Sequence, residues 1–238
     1  MYSLDVKKRC YYIVAMKVME GVYTLPLEVE FGEKTLGISP VLIELPRGLA
    51  LIDAGMSNTT DQLQQRIEAT GHRIEEIRLL IITHQDGDHA GGGSFVVEHS
   101  GATVCTSSLE ARPISGETSP RGPQENSYPP VPVDIECTEG TVFRTAAGPM
   151  EVIDTPGHTP GHFSLFLRTS GTVIAGDALV IHKGQLTGPH PQMSEDMQAA
   201  RSAIAHIAEY PVRDVLCFHG GYTETSPTAL IELSNSLS

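Results

Sequence analysis

Apolar residues in the first part of the chain fall into short runs separated by glycine or proline. The runs at 11–18, 22–31 and 40–45 are rich in β-branched and aromatic residues, which is typical of antiparallel strands. A further strand is predicted at 49–52. A helical spacing of apolar residues follows: Thr60 can cap a helix that carries Leu63 and Ile67 on one face and ends at Gly71.

The rest of the chain alternates between strand and helix patterns. A continuous apolar run predicts a buried strand at 78–83, since its length suits a strand covered on both faces. One helix is predicted at 195–209, with Ser194 as its cap and Ile204 and Ile207 on its apolar face. The other predicted elements are a short helix at 95–98 and strands at 102–106, 141–144, 150–154, 162–168, 172–175 and 212–218.

The segment from Ser107 to Ile135 lacks periodicity and contains six prolines: Pro113, Pro120, Pro123, Pro129, Pro130 and Pro132. Such a composition suits an ordered excursion or a flap better than regular structure, so no element is predicted there. We expect its part up to Val133 to act as a flap beside the site or as a contact in a homodimer.

Composition narrows the class of protein. A chain of 238 residues with 40% hydrophobic side chains can bury a core as one domain, so a single domain is predicted over 1–238. Its net charge of −13, from 29 acidic and 16 basic residues, provides no basic stripe for a nucleic acid. A small-molecule substrate is the expected partner.

Cysteine usage and hydropathy bear on the cell compartment. The four cysteines are scattered without a C-x-x-C pair, the N-terminus shows no signal-peptide pattern, and no apolar run is long enough to span a membrane. These features predict a cytoplasmic chain with reduced thiols and no membrane partner.

Candidate chemistry is concentrated in four loops, each directly after a predicted strand. The loop residues are histidines and aspartates, namely His84, Asp86, Asp88, His89, His158, Asp177 and His219. Imidazole and carboxylate together suit divalent transition metals, and this set exceeds what one tetrahedral ion requires. Two neighbouring ions that activate water are therefore expected.

Five short motifs together resemble the metallo-β-lactamase-fold hydrolases. They are D-A-G at 53–55, H-Q-D-G-D-H at 84–89, T-P-G-H-T-P-G-H at 155–162, G-D at 176–177 and H-G-G at 219–221. The resemblance implies a mixed α/β fold, specifically a four-layer αββα sandwich, with the metal centre at one edge between the two sheets.

The resemblance also implies roles for the residues. His84, Asp86 and His158 would hold one metal ion, and Asp88, His89 and His219 the other, with Asp177 bridging both. Asp88 and Asp177 are the catalytic candidates, since Asp88 could also assist proton transfer. Asp53 would orient a ligand. His162 would be supportive rather than a ligand.

Asp86 departs from the common His-x-His-x-Asp-His pattern, because it stands where the second histidine is usual. A carboxylate there is harder than imidazole and favours iron or manganese more than a histidine would. Two divalent ions are expected, with zinc as the first choice and iron or manganese as alternatives. The other interpretation makes Asp86 a solvated loop carboxylate and the site mononuclear.

The resemblance ranks substrates without fixing one. A lactone, such as an acyl-homoserine lactone, comes first, although Val180 stands where those lactonases carry a tyrosine. A thioester of the glyoxalase-II type comes second, although the C-terminal helical region of those enzymes is not expected here. Iron-dependent redox chemistry of the flavodiiron type and metabolite binding without catalysis are the remaining alternatives. His182 and His190 could line the substrate mouth or be plain loop residues.

Overall fold

Two β-sheets lie face to face, and helices cover the outer face of each. The computed structural model describes residues 15–31, 34–122 and 128–237. Strands of the first half are β1 (Met16–Met19), β2 (Val22–Thr24), β3 (Leu27–Phe31), β4 (Lys34–Ile38), β5 (Val41–Glu44), β6 (Leu49–Ile52), β7 (Ile77–Ile81), β8 (Thr103–Ser107) and β9 (Ile135–Cys137). Those of the second half are β10 (Val142–Thr145), β11 (Gly148–Asp154), β12 (Phe163–Leu167), β13 (Thr172–Ile174), β14 (Val180–His182), β15 (Gln185–Thr187), β16 (Asp214–Cys217) and β17 (Gly221–Glu224).

The strands form two large sheets and two hairpins. One sheet has seven strands in the order β1-β2-β5-β6-β7-β8-β9, and the other has six in the order β10-β11-β12-β13-β16-β17. The hairpins are β3-β4 and β14-β15. The α-helices are α1 (Thr60–Ala69), α2 (Gly87–Ala90), α3 (Gly93–Ser100), α4 (Ser108–Ile114), α5 (Met197–Ile207) and α6 (Pro227–Ser236).

Three apolar clusters fill the space between these layers. The middle cluster joins the facing surfaces of the two sheets, as Ile52 and Phe163 illustrate. A second cluster packs Leu51 of the first sheet against α1, and a third packs Phe166 of the second sheet against α5 and α6. Both faces of the central strands are thus covered, which is why these strands read as continuous apolar runs. The predicted αββα sandwich is confirmed.

Strand direction brings the candidate residues to one edge. Strands β6, β7 and β8 are mutually parallel, and so are β13 and β16. Strand β11 also shares the direction of β13, since each is antiparallel to β12. Their carboxyl ends therefore lead into the loops that carry Asp53, His84, His158, Asp177 and His219.

Several predicted boundaries are corrected. The run predicted as one strand at 22–31 is divided between β2 and β3, because Pro26 has no N–H to donate to a ladder. The strand predicted from residue 11 is described only from Met16, as residues 11–14 lie outside the described residues. The cap of α5 is Asp196 rather than Ser194, since the Ala199 N–H donates to Asp196 Oδ1 at 2.9 Å.

Regular elements occur where none was predicted. Helix α4 lies in the proline-rich segment and buries Glu110, Ala111 and Ile114, so tertiary burial outweighs the proline within it. Strands β4, β9, β14, β15 and β17 and helix α6 were also missed. The start of α6 had a readable signal, because Ser226 caps it and Pro227 follows. Within 15–31, 34–122 and 128–237, every helix is too short or too polar to cross a bilayer.

Gly92→Ala should lower the free energy of unfolding by about 1 to 3 kcal/mol, because a Cβ at this position would lie 2.2 Å from the backbone oxygen of Ala54. The Gly92 N–H also donates to the Gly55 oxygen at 2.8 Å, which ties two site loops together. Urea unfolding of the metal-free protein measures the change. Glu98→Ala, at an exposed position of α3, should alter stability little; equal losses in both variants would contradict the close-approach argument.

Candidate metal centre

Two donor sets lie at the shared edge of the sheets, and a third group, made of His84, His89 and Asp177, joins them. The first donor set consists of His84, Asp86 and His158. Oδ2 of Asp86 lies 3.0 Å from Nε2 of His158 and 3.5 Å from Nε2 of His84. The loops that follow β7 and β11 supply these side chains, and so bring residues 72 positions apart in the chain into contact.

The second donor set consists of Asp88, His89 and His219. Oδ2 of Asp88 lies 3.8 Å from Nε2 of His89 and 3.3 Å from Nε2 of His219. Asp88 and His89 belong to the single turn α2, a correction to the expectation that the whole cluster lies in a loop. His219 follows β16 across the sheet interface.

Asp177 lies between the two donor sets. Its Oδ2 is 3.4 Å from Nε2 of His158 in the first set and 3.4 Å from Nε2 of His219 in the second. Its Oδ1 is 3.3 Å from Nε2 of His89. A single carboxylate thus faces both sets, which is the placement that a bridging role requires.

The donor groups fit divalent metal ions on two observations. Nε2 of His84, Nε2 of His89 and Oδ1 of Asp177 are buried without a hydrogen-bond partner, although burying an unpaired polar atom is costly. The spacings between donor atoms, 3.0 to 3.8 Å, also bracket the separation of about 3.3 Å between ligands of a tetrahedral ion with bonds of roughly 2.0 Å. Both features are expected where a cation binds.

The cluster opens toward solvent on the side of its second set. His84 and His89 are fully buried, whereas the side chains of Asp88 and His219 are 28% and 27% exposed. Water and substrate would therefore approach past Asp88 and His219. His182 and His190 could line the mouth or be plain loop residues; His182 is the last residue of β14, and both are exposed and outside the two donor sets.

Mutual charge dominates the protonation of the metal-free cluster. Burial alone would lower the pKa of His219, but the negative charges of Asp177 and Asp88 raise it to about 10. Burial would likewise raise the pKa of Asp177, yet His219 and His89 hold it well below its usual range. The carboxylates are therefore anionic, as cation binding requires.

Asp53 holds His89 of the second donor set in its orientation. It follows β6 with a positive φ of 59°, a conformation that non-glycine residues seldom adopt. Its Oδ1 accepts the Thr83 N–H at 2.8 Å, and its Oδ2 lies 2.8 Å from Nδ1 of His89. This contact keeps the proton of His89 on Nδ1 and directs Nε2 at Asp177.

His162 supports Asp177 through the backbone. Its Nε2 accepts the Asp177 N–H at 2.9 Å, which requires a neutral ring with the proton on Nδ1, where Thr155 lies 2.8 Å away. Burial and the neighbouring His84 hold the pKa of His162 well below its usual range, in agreement with this state. This geometry agrees with the supportive role that the motif at 155–162 implies for His162.

Glu110 is a structural residue of the site that the sequence interpretation missed. Its side chain is fully buried on α4, and its carboxylate accepts three hydrogen bonds. The donors are the Gln85 N–H at 2.9 Å, the Thr159 hydroxyl at 2.6 Å and the Gly161 N–H at 2.9 Å. Glu110 thus connects the loop of His84 to the loop of His158.

Two further residues of the proline-rich segment contact the site. The Arg121 guanidinium donates to both oxygens of Asp86, with Nε at 2.6 Å and Nη2 at 2.5 Å. The Tyr128 hydroxyl donates to the backbone oxygen of Gln85 at 2.7 Å. Arg121 and Tyr128 therefore lie against the loop that carries His84 and Asp86, and the flap or dimer role of the segment stays a prediction.

Comparison with known proteins agrees with this arrangement. The family model described as "Metallo-beta-lactamase superfamily" matches residues 35–229, which contain all seven donor residues. The chain belongs to this superfamily. Superfamily membership, together with relatives that are hydrolases, identifies the chain as a metal-dependent hydrolase.

Three similar proteins illustrate the breadth of the superfamily. The probable metallo-hydrolase YflN of Bacillus subtilis (strain 168) is 27% identical over 221 residues, covering 81% of this chain and 84% of that protein. A hydroxyacylglutathione hydrolase of Chelativorans sp. (strain BNC1) is 27% identical over 62% of this chain, but the match spans only 50% of that enzyme. A metallo-beta-lactamase family protein of Thermus thermophilus has the same fold, with a TM-score of 0.74 and 20% identity over 92% of this chain and 80% of its own.

Proposed function

We propose that the chain hydrolyses an ester-like carbonyl bond at a dinuclear metal centre held by His84, Asp86, His158, Asp88, His89, His219 and Asp177. The observation that carries this proposal is the position of Asp177, whose two oxygens face both donor sets. Unpaired buried donor atoms on His84 and His89 support it. Zinc is the first choice, with iron or manganese as alternatives because of the carboxylate at Asp86.

The protein's own residues would organise the reaction around that centre. When bound, two divalent ions would supply Lewis acidity and lower the pKa of water. Asp88 lies on the solvent side, where its carboxylate can accept a proton from the attacking water. Asp177 would fix the spacing of the two donor sets, and His162 would hold the backbone of Asp177 in place.

Substrate preference is tested with one panel of lactones, thioesters and phosphodiesters, assayed with metal-loaded wild-type protein. The hydroxyacylglutathione hydrolase relatives favour including glutathione thioesters, and the sequence motifs favour acyl-homoserine lactones. We expect turnover of an acyl substrate that chelator treatment removes and metal restores. Turnover of phosphodiesters alone would contradict the proposed bond class.

Substitution of Asp86 tests whether the first donor set binds metal. Asp86→Ala should lose one ion selectively, whereas Asp86→His should retain two ions and shift the preference toward zinc, since imidazole is the softer ligand. Elemental analysis of the purified variants, with manganese and zinc supplied at equal concentration, measures both effects. Unchanged metal content in Asp86→Ala would refute the ligand role of Asp86.

A further inference from the structure

Arg121 places a permanent positive charge at the first donor set. Its Nη2 nitrogen lies 2.5 Å from Oδ2 of Asp86 and 2.7 Å from Nε2 of His158, and its Nη1 donates to the backbone oxygen of His158 at 2.6 Å. A guanidinium has only donors, so both atoms of the set direct their lone pairs at this one nitrogen. Two of the three donor side chains in the first set are thereby engaged by Arg121.

In the part of the chain that the structure describes, the second donor set lacks such a partner. Among residues 15–31, 34–122 and 128–237, no lysine or arginine forms an ion pair with Asp88 or Asp177. Within these ranges, a permanently charged side chain is thus paired with the first set and not with the second.

Arg121 also has an alternative partner close by. Its Nη1 lies 3.6 Å from Oε1 of Glu195, whose side chain is 46% exposed. The backbone of Arg121 is held separately, since its N–H donates to Oε1 of Gln85 at 2.8 Å. The side chain can therefore turn from Asp86 toward Glu195 while the segment stays attached to the site.

We propose that Arg121 is an internal cation that competes with the metal ion for Asp86 and His158, so that the two donor sets fill at different metal concentrations. This inference rests on the proposed metal centre. At low metal concentration one ion occupies the second set, and the first set fills only when Arg121 turns toward Glu195. The number of bound ions then depends on metal supply.

Metal titration of chelator-stripped protein tests the competition. Zinc binding is followed by competition with a chromophoric chelator for wild type, Arg121→Met and the control Arg112→Met, whose side chain is 69% exposed on the same segment. Wild type should show one tight and one weaker affinity. Arg121→Met should tighten the weaker affinity about 10- to 100-fold, because a charge-assisted bidentate contact no longer has to break. The tight affinity, and both affinities of Arg112→Met, should stay within about 2-fold of wild type.

A second variant keeps the test decisive if Arg121→Met folds poorly by circular dichroism. Glu195→Gln removes the alternative partner and should weaken the lower affinity about 2- to 5-fold. If folded Arg121→Met binds the second, weaker ion no more tightly than wild type does, Arg121 does not compete with the metal. The same conclusion follows if Glu195→Gln leaves that weaker affinity unchanged. Two tightly bound ions whose affinities do not change when Arg121 is substituted would overturn only this inference. If no variant binds metal, the proposed metal centre is wrong as well.

Discussion

Asp177→Asn is expected to reduce the turnover of the metal-loaded protein on the order of 1,000-fold while leaving it folded. The carboxylate faces His158 of the first donor set and His89 and His219 of the second. A neutral amide keeps the shape of the side chain but removes the anion and replaces one acceptor oxygen by a donor. Steady-state kinetics and elemental analysis should show lost activity together with lower metal content.

The matched control for this substitution is Asp61→Asn, at an exposed position in the first turn of α1. It removes the same charge far from the donor sets and should leave turnover unchanged. Near-normal turnover of Asp177→Asn with two ions bound would show that Asp177 does not bridge them.

Glu110→Ala should lower the free energy of unfolding of the metal-free protein by about 2 to 4 kcal/mol, the largest stability loss we expect from a single side chain here. The substitution leaves the buried N–H groups of Gln85 and Gly161 and the hydroxyl of Thr159 without their acceptor. Urea unfolding after chelator treatment measures this loss of stability separately from any effect on metal binding.

Two further variants test whether the hydrogen bonds of Glu110 cause the loss of stability. Glu117→Ala removes a 66% exposed carboxylate from the same segment and should change stability by less than about 0.5 kcal/mol. Glu110→Gln should fall between wild type and Glu110→Ala, since the amide can accept on one oxygen only. If Glu110→Ala is as stable as Glu117→Ala, the carboxylate does not hold the two loops together.

The candidate donor residues could be located from the sequence because they lie in segments that directly follow strands. Apolar runs ending at 83, 154, 175 and 218 are visible by eye, and parallel strands end at a common edge. The edge at which such a loop lies can therefore be predicted from the sequence, without knowledge of any tertiary contact. The polar residues in these loops then specify the chemistry, and their order along the chain carries the family resemblance.

The supporting residues could not be located in this way. Glu110 binds partners 25 and 51 positions away, and Arg121 binds Asp86 across 35 positions. Both lie in a segment whose prolines conceal the short helix α4, because its stability comes from burial against the site rather than from local propensity. No periodic pattern marks a residue whose role depends on distant loops meeting.

The most direct test of the dinuclear centre is anomalous diffraction at the zinc absorption edge, from crystals of wild-type protein equilibrated with excess zinc. We expect two peaks, one within roughly 2.0 to 2.2 Å of donor atoms of His84, Asp86 and His158 and one within the same distance of Asp88, His89 and His219, with Asp177 contacting both. A single peak, or peaks away from these residues, would contradict it.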